Sequence, residues 1–225
     1  MVVQSAPVRT ISINTGYLRM KRILDIVFIL LIAPFILFVG LIVAICIKLD
    51  SKGPVFFRQK RIGQDGNVFE MLKFRSMYVN SDQMAHREKI LQYMNGQKLN
   101  NDDKTGAMAY KDVKDPRITK IGRFIRKTSL DEIPQFWNVL CGQMSLVGPR
   151  PPLPYEVELY SAHEWQRMAG KPGLTGTWQV YGRSRVTFQN MVEMDIEYLE
   201  NQSLLTDLKL IFLTVPVMIF ARGGA

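Results

Sequence analysis

One apolar segment constrains this chain more than any other feature of its sequence. It runs from Ile26 to Ile47 without a charged residue, and an uncharged apolar run of about 18 residues or more is a candidate for membrane insertion. Its apolar core is too long for a secretory signal peptide, and no small-residue cleavage site follows it. A buried helix of a soluble protein is the weaker alternative on the same length criterion. We therefore expect a membrane-associated protein.

Basic residues flank this segment on both sides, which bears on its path through the bilayer. They are Arg19, Lys21 and Arg22 before it and Lys48, Lys52, Arg58, Lys60 and Arg61 after it. Basic flanks favour the cytoplasmic side, and a single spanning helix can leave only one flank there. Pro34 cannot continue the helical hydrogen-bond ladder, so a kink or break is expected. We favour a re-entrant hairpin; one spanning helix with a proline kink is the alternative.

The composition of the whole chain narrows its class further. Hydrophobic residues make up 47% and charged residues 22%, which excludes general disorder. Two cysteines cannot form a disulfide scaffold or a cysteine-based zinc cage. A net charge of +9 leaves nucleic acid, anionic lipid and phosphorylated compounds as candidate partners. The basic excess beside a membrane segment explains this charge more simply than nucleic-acid binding, for which no recognised motif occurs.

The remaining sequence predicts a domain that contains both strands and helices. Residues 53–63 and 68–75 indicate two strands joined by a turn, with Lys73 and Arg75 on one face of the second strand. Residues 117–127 alternate apolar and basic residues with helical spacing. Such a helix suits a lipid headgroup layer or an anion pocket, and a solvated surface helix is the alternative. Residues 208–221 are too short to span, so they form either an interfacial helix or a terminal helix packed on the domain.

An adjacent pair of carboxylates, Asp131 and Glu132, is the first candidate for chemistry. Ser129 and Glu132 also have the spacing of a capping box, so a purely structural role for Glu132 is one interpretation. A first-turn carboxylate near basic residues is equally placed to hold a divalent cation or to attack phosphorus, because carboxylates form aspartyl-phosphates. Magnesium needs only one or two carboxylates when substrate phosphates supply further oxygens.

Two loops after the acidic pair carry further candidates. Arg150 lies among four prolines in residues 149–154, which stiffen the backbone around a guanidinium suited to phosphate recognition. Residues 171–183 form a glycine-rich, aromatic and basic stretch that ends at Arg183. A turn followed by a strand is the structural interpretation of that second stretch.

Taken together, these motifs resemble those of the bacterial sugar transferase family, the monotopic polyprenyl-phosphate phosphoglycosyl transferases. The resemblance runs from about residue 21 to the C-terminus and depends on the order of several motifs. They are KFRSM at 73–77, SLDEIPQ at 129–135, NVL-x-G at 138–142, MSLVGPRP at 144–151 and KPGLTGTWQVYGR at 171–183. Each motif is weak by itself, and the set is specific.

The resemblance implies an α+β fold, with a small membrane-associated catalytic domain, interfacial amphipathic helices and an N-terminal re-entrant helix broken at Ala33 and Pro34. We accordingly expect an N-terminal arm over residues 1–20, the re-entrant segment over 21–50 and a cytosolic catalytic domain over 51–225. The family location is the bacterial inner membrane, with the catalytic domain on the cytoplasmic face.

The resemblance also assigns roles to individual residues. Asp131 would be the nucleophile and a magnesium ligand, and Glu132 its partner. The cationic side chains that match family motifs near the phosphates are Arg126, Arg150, Lys73, Arg75 and Arg183. One departure is Gln143, which stands where members commonly have aspartate, so a supporting contact or the local metal environment is altered there.

The resulting hypothesis is transfer of a sugar 1-phosphate from a UDP-sugar to a polyprenyl phosphate, such as undecaprenyl phosphate, through a phosphosugar-aspartate intermediate with release of UMP. This would be the first membrane step of exopolysaccharide or other glycoconjugate assembly. The sugar stays open among glucose, galactose and an N-acetylated hexosamine, as does the question of a homo-oligomer. The alternative is a non-catalytic protein that binds membranes through the basic helix of residues 117–127.

Overall fold

A computed structural model describes residues 14–79, 84–95, 115–182 and 186–219 of this chain. Predictions for residues 1–13 of the N-terminal arm, for the loop near residues 100–105 and for Arg183 lie outside these ranges. The fold mixes helices with two small sheets, as the sequence predicts. The helices are α1 (Thr15–Asp50), α2 (Met84–Met94), α3 (Lys120–Lys127), α4 (Gln135–Leu140), α5 (Pro154–Val157), α6 (Ala162–Trp165), α7 (Thr177–Tyr181), α8 (Phe188–Glu200) and α9 (Leu204–Ile219). The strands are β1 (Phe56–Ile62), β2 (Val68–Phe74), β3 (Ser145–Val147) and β4 (Gly173–Thr175).

The apolar segment lies within α1, the one helix of the described residues that is long and apolar enough to cross a membrane. The helix begins at Thr15, where the side chain of Asn14 accepts a hydrogen bond from the Tyr17 N–H over 3.1 Å. It therefore starts six residues before the predicted start of the membrane segment. Its helical assignment continues through Ala33 and Pro34 to Asp50.

Residues on both sides of Pro34 contact the rest of the protein. Before the proline, Arg22 donates to the carbonyl oxygens of Val139 and Leu140 over 2.5 and 2.7 Å. After it, Val43 and Ile47 pack in one buried cluster with Phe74 of β2 and Ile125 of α3. The middle of the helix, by contrast, exposes large apolar side chains: Leu30, Leu31, Phe35, Leu37, Phe38 and Leu41.

The predicted strand–turn–strand is confirmed as an antiparallel hairpin of β1 and β2. Its register pairs Phe57 with Lys73 and Arg61 with Phe69. Side chains directly opposite one another share a face, and alternate residues along a strand share it too. Arg61 and Lys73 therefore project from the same face of the hairpin, the face that also carries the buried Met71.

Strands β3 and β4 bring the two motif loops together. They pair in parallel, with Ser145 opposite Gly173 and Val147 opposite Thr175. A Cβ at Gly173 would lie 2.1 Å from the Gly148 nitrogen, so this approach requires glycine. The proline-rich loop after β3 and the glycine-rich loop around β4 are thereby held side by side.

Helix α9 packs on the domain, as one of the two predicted alternatives requires. Leu210 and Ile211 are buried in the cluster that also contains Ile29 of α1. Asp207 is buried as well and accepts hydrogen bonds from Lys21 and Tyr198. The opposite side of α9 exposes Leu205 and Phe212, so the helix presents an apolar surface beside α1.

Candidate active site

A cleft opens where the hairpin, the acidic pair and the two motif loops meet. Its lining residues come from five separate parts of the chain and are Arg61, Met71, Lys73, Glu132, Gln135, Arg150, Pro151, Gly173, Leu174 and Gln179. Three of the side chains that the sequence predicts for the site, Lys73, Glu132 and Arg150, are among them. Asp131 adjoins this lining and is 6% exposed.

Lys73 and Glu132 form an ion pair within the cleft. Lys73 Nζ donates a hydrogen bond to Glu132 Oε1 over 3.1 Å. Burial lowers the pKa of Lys73 because the ammonium group loses hydration, while the Glu132 and Asp131 carboxylates act in the opposite direction. The charges of Arg150 and Arg61 lower it further. Five ionisable groups therefore influence one another at this position.

The turn that carries the acidic pair has a backbone feature that the sequence does not predict. Ser129 adopts φ 56° and ψ 16°, in the left-handed region, and makes no side-chain cap hydrogen bond. A 3₁₀ turn over Leu130–Glu132 follows. The capping-box interpretation of Ser129 and Glu132 is therefore wrong, because the Glu132 carboxylate accepts from Lys73 instead.

The loop that carries Arg150 is held by two buried arginines. Arg167, which is 2% exposed, donates to the Arg150 carbonyl oxygen over 3.3 Å. Arg61 donates to the Pro151 carbonyl oxygen over 2.9 Å. Arg167 is itself fixed by an ion pair with the buried Asp195 and by a 2.9 Å hydrogen bond to the Tyr160 hydroxyl. These contacts, together with the prolines, fix the backbone from which Arg150 extends.

Other predicted site residues lie elsewhere in the fold. Arg75 is buried and donates to the carbonyl oxygens of Lys52 and Ser51 over 2.8 and 2.7 Å, just after the end of α1. Arg126 is in the last turn of α3. Its positive charge is one of the causes that lower the pKa of Asp115. The main cause of that lowering is hydrogen bonding from Arg117. Neither Arg75 nor Arg126 lines the cleft, and their phosphate-binding roles stay predictions.

The sequence interpretation missed three polar side chains of the cleft: Arg61, Gln135 and Gln179. A signal for Arg61 was present, because the hairpin register places it on the face of Lys73. Gln135 follows Glu132 by three residues, the spacing that brings side chains to one face of a helix. Gln179 has no comparable signal, since its position depends on how β4 and α7 pack.

Gln143 takes part in a network that attaches α4 to the hairpin. Its Oε1 accepts from Asn138 Nδ2 over 2.7 Å. The same Asn138 amide donates to the Glu70 carbonyl and accepts from the Leu72 N–H, over 2.7 and 2.9 Å. An amide oxygen at position 143 thus supplies an acceptor, as a carboxylate would. Gln143 thus supplies a supporting contact here, and an effect on the metal environment stays a prediction.

Asp131 and Glu132 are the residues of the site that could hold a metal ion. Within the described ranges, no group of three or more histidine, cysteine or acidic side chains is arranged to hold a metal ion. Asp131 and Glu132 together are a two-carboxylate set. Magnesium is commonly held by one or two carboxylates with substrate phosphates and water. The residues therefore fit magnesium bound together with a phosphorylated ligand.

These observations define a class: a domain attached to an apolar helix, with a cationic cleft beside an acidic pair of which Asp131 is buried and Glu132 half-buried. The chain belongs to the bacterial sugar transferase family, whose model matches residues 16–221.

Three relatives illustrate the range of this similarity. The chain is 41% identical over 206 residues to a UDP-galactose-lipid carrier transferase of Erwinia amylovora, covering 92% of this chain and 41% of that protein. It is 44% identical over 176 residues to an undecaprenyl-phosphate galactose phosphotransferase of Salmonella typhimurium, covering 77% and 35%. It is 38% identical over 214 residues to the exopolysaccharide production protein ExoY of Rhizobium meliloti, covering 91% and 87%. The chain thus spans less than half of the first two relatives and most of the third.

Proposed function

We propose that this chain transfers a sugar 1-phosphate from a UDP-sugar to a polyprenyl phosphate, releasing UMP. The observation that carries the proposal is the Lys73–Glu132 ion pair beside the buried Asp131, in a cleft that Arg61 and Arg150 also line. The names of two relatives support the substrate classes, because they specify UDP-galactose, a lipid carrier and undecaprenyl phosphate for those proteins. Galactose is accordingly the first sugar to test, with glucose second.

In the first step, a carboxylate oxygen of Asp131 attacks the phosphorus that bears the sugar. A bond forms between this oxygen and phosphorus, and the bond to the bridging oxygen of the diphosphate breaks, so that UMP leaves with that oxygen. In the second step, an oxygen of the polyprenyl phosphate attacks the same phosphorus. The bond to Asp131 breaks, the carboxylate is regenerated, and the sugar remains on a lipid diphosphate.

The cations around the cleft offset the negative charge of the substrate. Charge stabilisation is the main requirement of phosphoryl transfer, and guanidinium groups bind phosphate oxygens with two parallel hydrogen bonds. Arg150 extends from a backbone that Arg167 and Arg61 hold. Lys73 holds Glu132, which in turn adjoins the nucleophile. Magnesium, held by Asp131 and the substrate phosphates, would supply further charge neutralisation when bound.

The membrane segment serves to bring this cleft to the depth of the lipid phosphate. Both flanks of α1 contact one domain, through Arg22 before Pro34 and through Ile47 after it. A domain rich in charged groups stays on one side of a bilayer, so both flanks belong on that side. We therefore retain the re-entrant path with its bend at Ala33 and Pro34, and we assign the domain to the cytoplasmic face of the inner membrane.

The experiment that tests this function is UMP release by the purified chain with magnesium, undecaprenyl phosphate and UDP-galactose, UDP-glucose or a UDP-N-acetylhexosamine as donor. Asp131→Asn removes the nucleophile with little change in volume and should abolish release. Asp65→Asn is the matched control, because Asp65 is exposed and asparagine tolerates its positive φ. Full turnover in Asp131→Asn, or no release from any donor by the wild type, contradicts the proposal.

A further inference from the structure

Two buried amide groups line the cleft without a hydrogen-bond partner within the described part of the chain. Gln135, the first residue of α4, is 3% exposed, and its Nε2 makes no hydrogen bond there. Gln179, in α7, has a buried Oε1 that likewise makes no hydrogen bond within the described residues. Both side chains belong to the lining that contains Lys73 and Arg150.

Such groups require an explanation, because the large majority of buried polar side-chain atoms in folded proteins have a hydrogen-bond partner. Both amides lie in the lining of a cleft, where a bound molecule supplies the partner. One offers a donor and the other an acceptor. If either amide is turned over, it still presents one donor and one acceptor, so the argument does not depend on which terminal atom is nitrogen.

The chemistry of an amide indicates what that molecule presents to it. The cleft already contains Lys73 and Arg150 for phosphate oxygens, and charge-assisted hydrogen bonds to such oxygens are the stronger ones. A neutral amide instead matches neutral groups that both donate and accept, such as hydroxyls or the edge of a nucleobase.

The positions of Gln135 and Gln179 are consistent with the binding of neutral groups by the amides and of phosphates by the cations. Gln135 is three residues after Glu132, so it lies one turn from the acidic pair. Gln179 is held against the proline-rich loop: a Cβ at Gly176 would lie 2.7 Å from Gln179 Oε1 and 2.5 Å from the Gly148 carbonyl oxygen. Glycine at position 176 therefore leaves the space that this amide occupies.

We propose that Gln135 and Gln179 bind the uncharged hydrogen-bonding part of the nucleotide sugar and contribute to donor specificity. The inference rests on the proposed use of a UDP-sugar. The shared chemistry has two sources in that molecule: the hydroxyls of the transferred sugar, and the uridine part with its ribose hydroxyls and uracil edge. The phosphates are left to Lys73 and Arg150.

Equilibrium binding to the chain in detergent tests this inference separately from chemistry when the Asp131→Asn background prevents the proposed first step. Calorimetric titrations would use UDP-galactose, UDP-glucose, UMP and pyrophosphate with Asp131→Asn alone and with Asp131→Asn combined with Gln135→Met or with Gln179→Met. Loss of one hydrogen bond should weaken UDP-sugar binding roughly tenfold in each variant. Pyrophosphate affinity should not change. An equal loss for UMP assigns the contact to the uridine part, and a loss confined to UDP-sugars assigns it to the transferred sugar.

A second measurement separates a binding role from a structural one. Methionine has a similar length and no amide, so Gln135→Met removes a buried unpaired group and should leave the melting temperature of the ligand-free protein unchanged or higher. Gln189→Met, at an exposed position of α8, is the matched control for both measurements. The inference is overturned by unchanged UDP-sugar affinity in both variants, by an equal loss for pyrophosphate, by a lowered melting temperature in Gln135→Met, or by an Asp131→Asn chain that binds neither UDP-sugar. A wild type that releases no UMP, although Asp131→Asn binds UDP-sugars, would contradict the proposed reaction alone.

Discussion

Lys73 Nζ lies 3.1 Å from Glu132 Oε1, and this ion pair joins the β-hairpin to the turn that carries Asp131. The two side chains are 16% and 27% exposed, so solvent screens the pair only in part. Because burial lowers the pKa of Lys73, its positive charge is more easily lost than that of a surface lysine. The cleft thus contains a cation whose charge depends on pH.

The first prediction concerns the alkaline side of the pH–rate profile. As pH rises, Lys73 loses its proton below the ordinary lysine value of 10.5, and the neutral amine no longer pairs with Glu132 or attracts phosphate. The kcat/KM for UMP release should therefore fall at a pH below 10.5. Arginine stays protonated throughout this range, so Lys73→Arg should move the fall to higher pH even if its maximum rate is lower.

Lys60→Arg is the matched control for this profile, because Lys60 is exposed on the other face of the hairpin. Its profile should coincide with that of the wild type. If kcat/KM falls at the same alkaline pH in Lys73→Arg and in the wild type, a group other than Lys73 titrates.

The second prediction concerns Arg167. Replacing it by methionine leaves Asp195 buried without its ion-pair partner, which should lower the free energy of unfolding by about 3–5 kcal/mol. Arg167→Lys keeps the charge but lacks the planar fork that reaches Asp195, Tyr160 and the Arg150 carbonyl together. We expect it to fold, with a raised KM for the UDP-sugar as its main defect.

Denaturant unfolding and steady-state kinetics check these outcomes. Arg58→Lys is the control, since Arg58 pairs with Glu70 at the surface and such pairs contribute about 0–1 kcal/mol. A destabilised Arg167→Lys with unchanged KM would show that Arg167 supports the core without positioning Arg150.

The third prediction concerns Gln143, at the position where the family resemblance predicts aspartate. Gln143→Asp keeps an acceptor for Asn138 Nδ2 and should change the free energy of unfolding by less than about 0.5 kcal/mol. Gln143→Leu removes it and should cost about 1 kcal/mol. Asn138→Leu should cost more than Gln143→Leu, because it also leaves the Glu70 carbonyl and the Leu72 N–H without this partner. Equal stabilities for Gln143→Leu and wild type would contradict the network.

The fourth prediction concerns the path of α1. In a variant with Cys46 and Cys141 replaced by serine, single cysteines at Asn14 and Lys52 would mark the two ends of the helix. A re-entrant path predicts that a membrane-impermeant maleimide labels both from the cytoplasmic side, in inverted vesicles. A spanning helix predicts that only one of them is labelled from that side.

Much of the local structure follows from the sequence because its causes are local. The apolar run of α1 and the alternating strands of the hairpin depend on nearby residues, and both are confirmed. The helix predicted over residues 117–127 is present as α3, with Ile125 buried and Phe124 58% exposed. Which apolar side chain of α3 is buried depends on the elements that pack against the helix, and the periodicity of the sequence alone does not specify them.

The cleft was only partly predictable, because long-range pairing assembles it. Lys73, Glu132 and Arg150 were identified by residue type and motif. Arg61 required the register of the hairpin, and Gln179 required the parallel pairing of β3 with β4. The interpretation of Ser129 as a cap failed because the left-handed backbone at that residue redirects Glu132 towards Lys73.

The most direct test of the account is whether Asp131 carries the phosphosugar. The purified chain would be incubated with UDP-galactose and magnesium without a lipid acceptor, and intact mass and peptide mapping would follow. We predict a gain in mass of one hexose phosphate on the peptide that contains Asp131, lost on addition of undecaprenyl phosphate and absent from Asp131→Asn. UMP release that requires the lipid, with no adduct at any stage and with Asp131→Asn still active, would contradict the account.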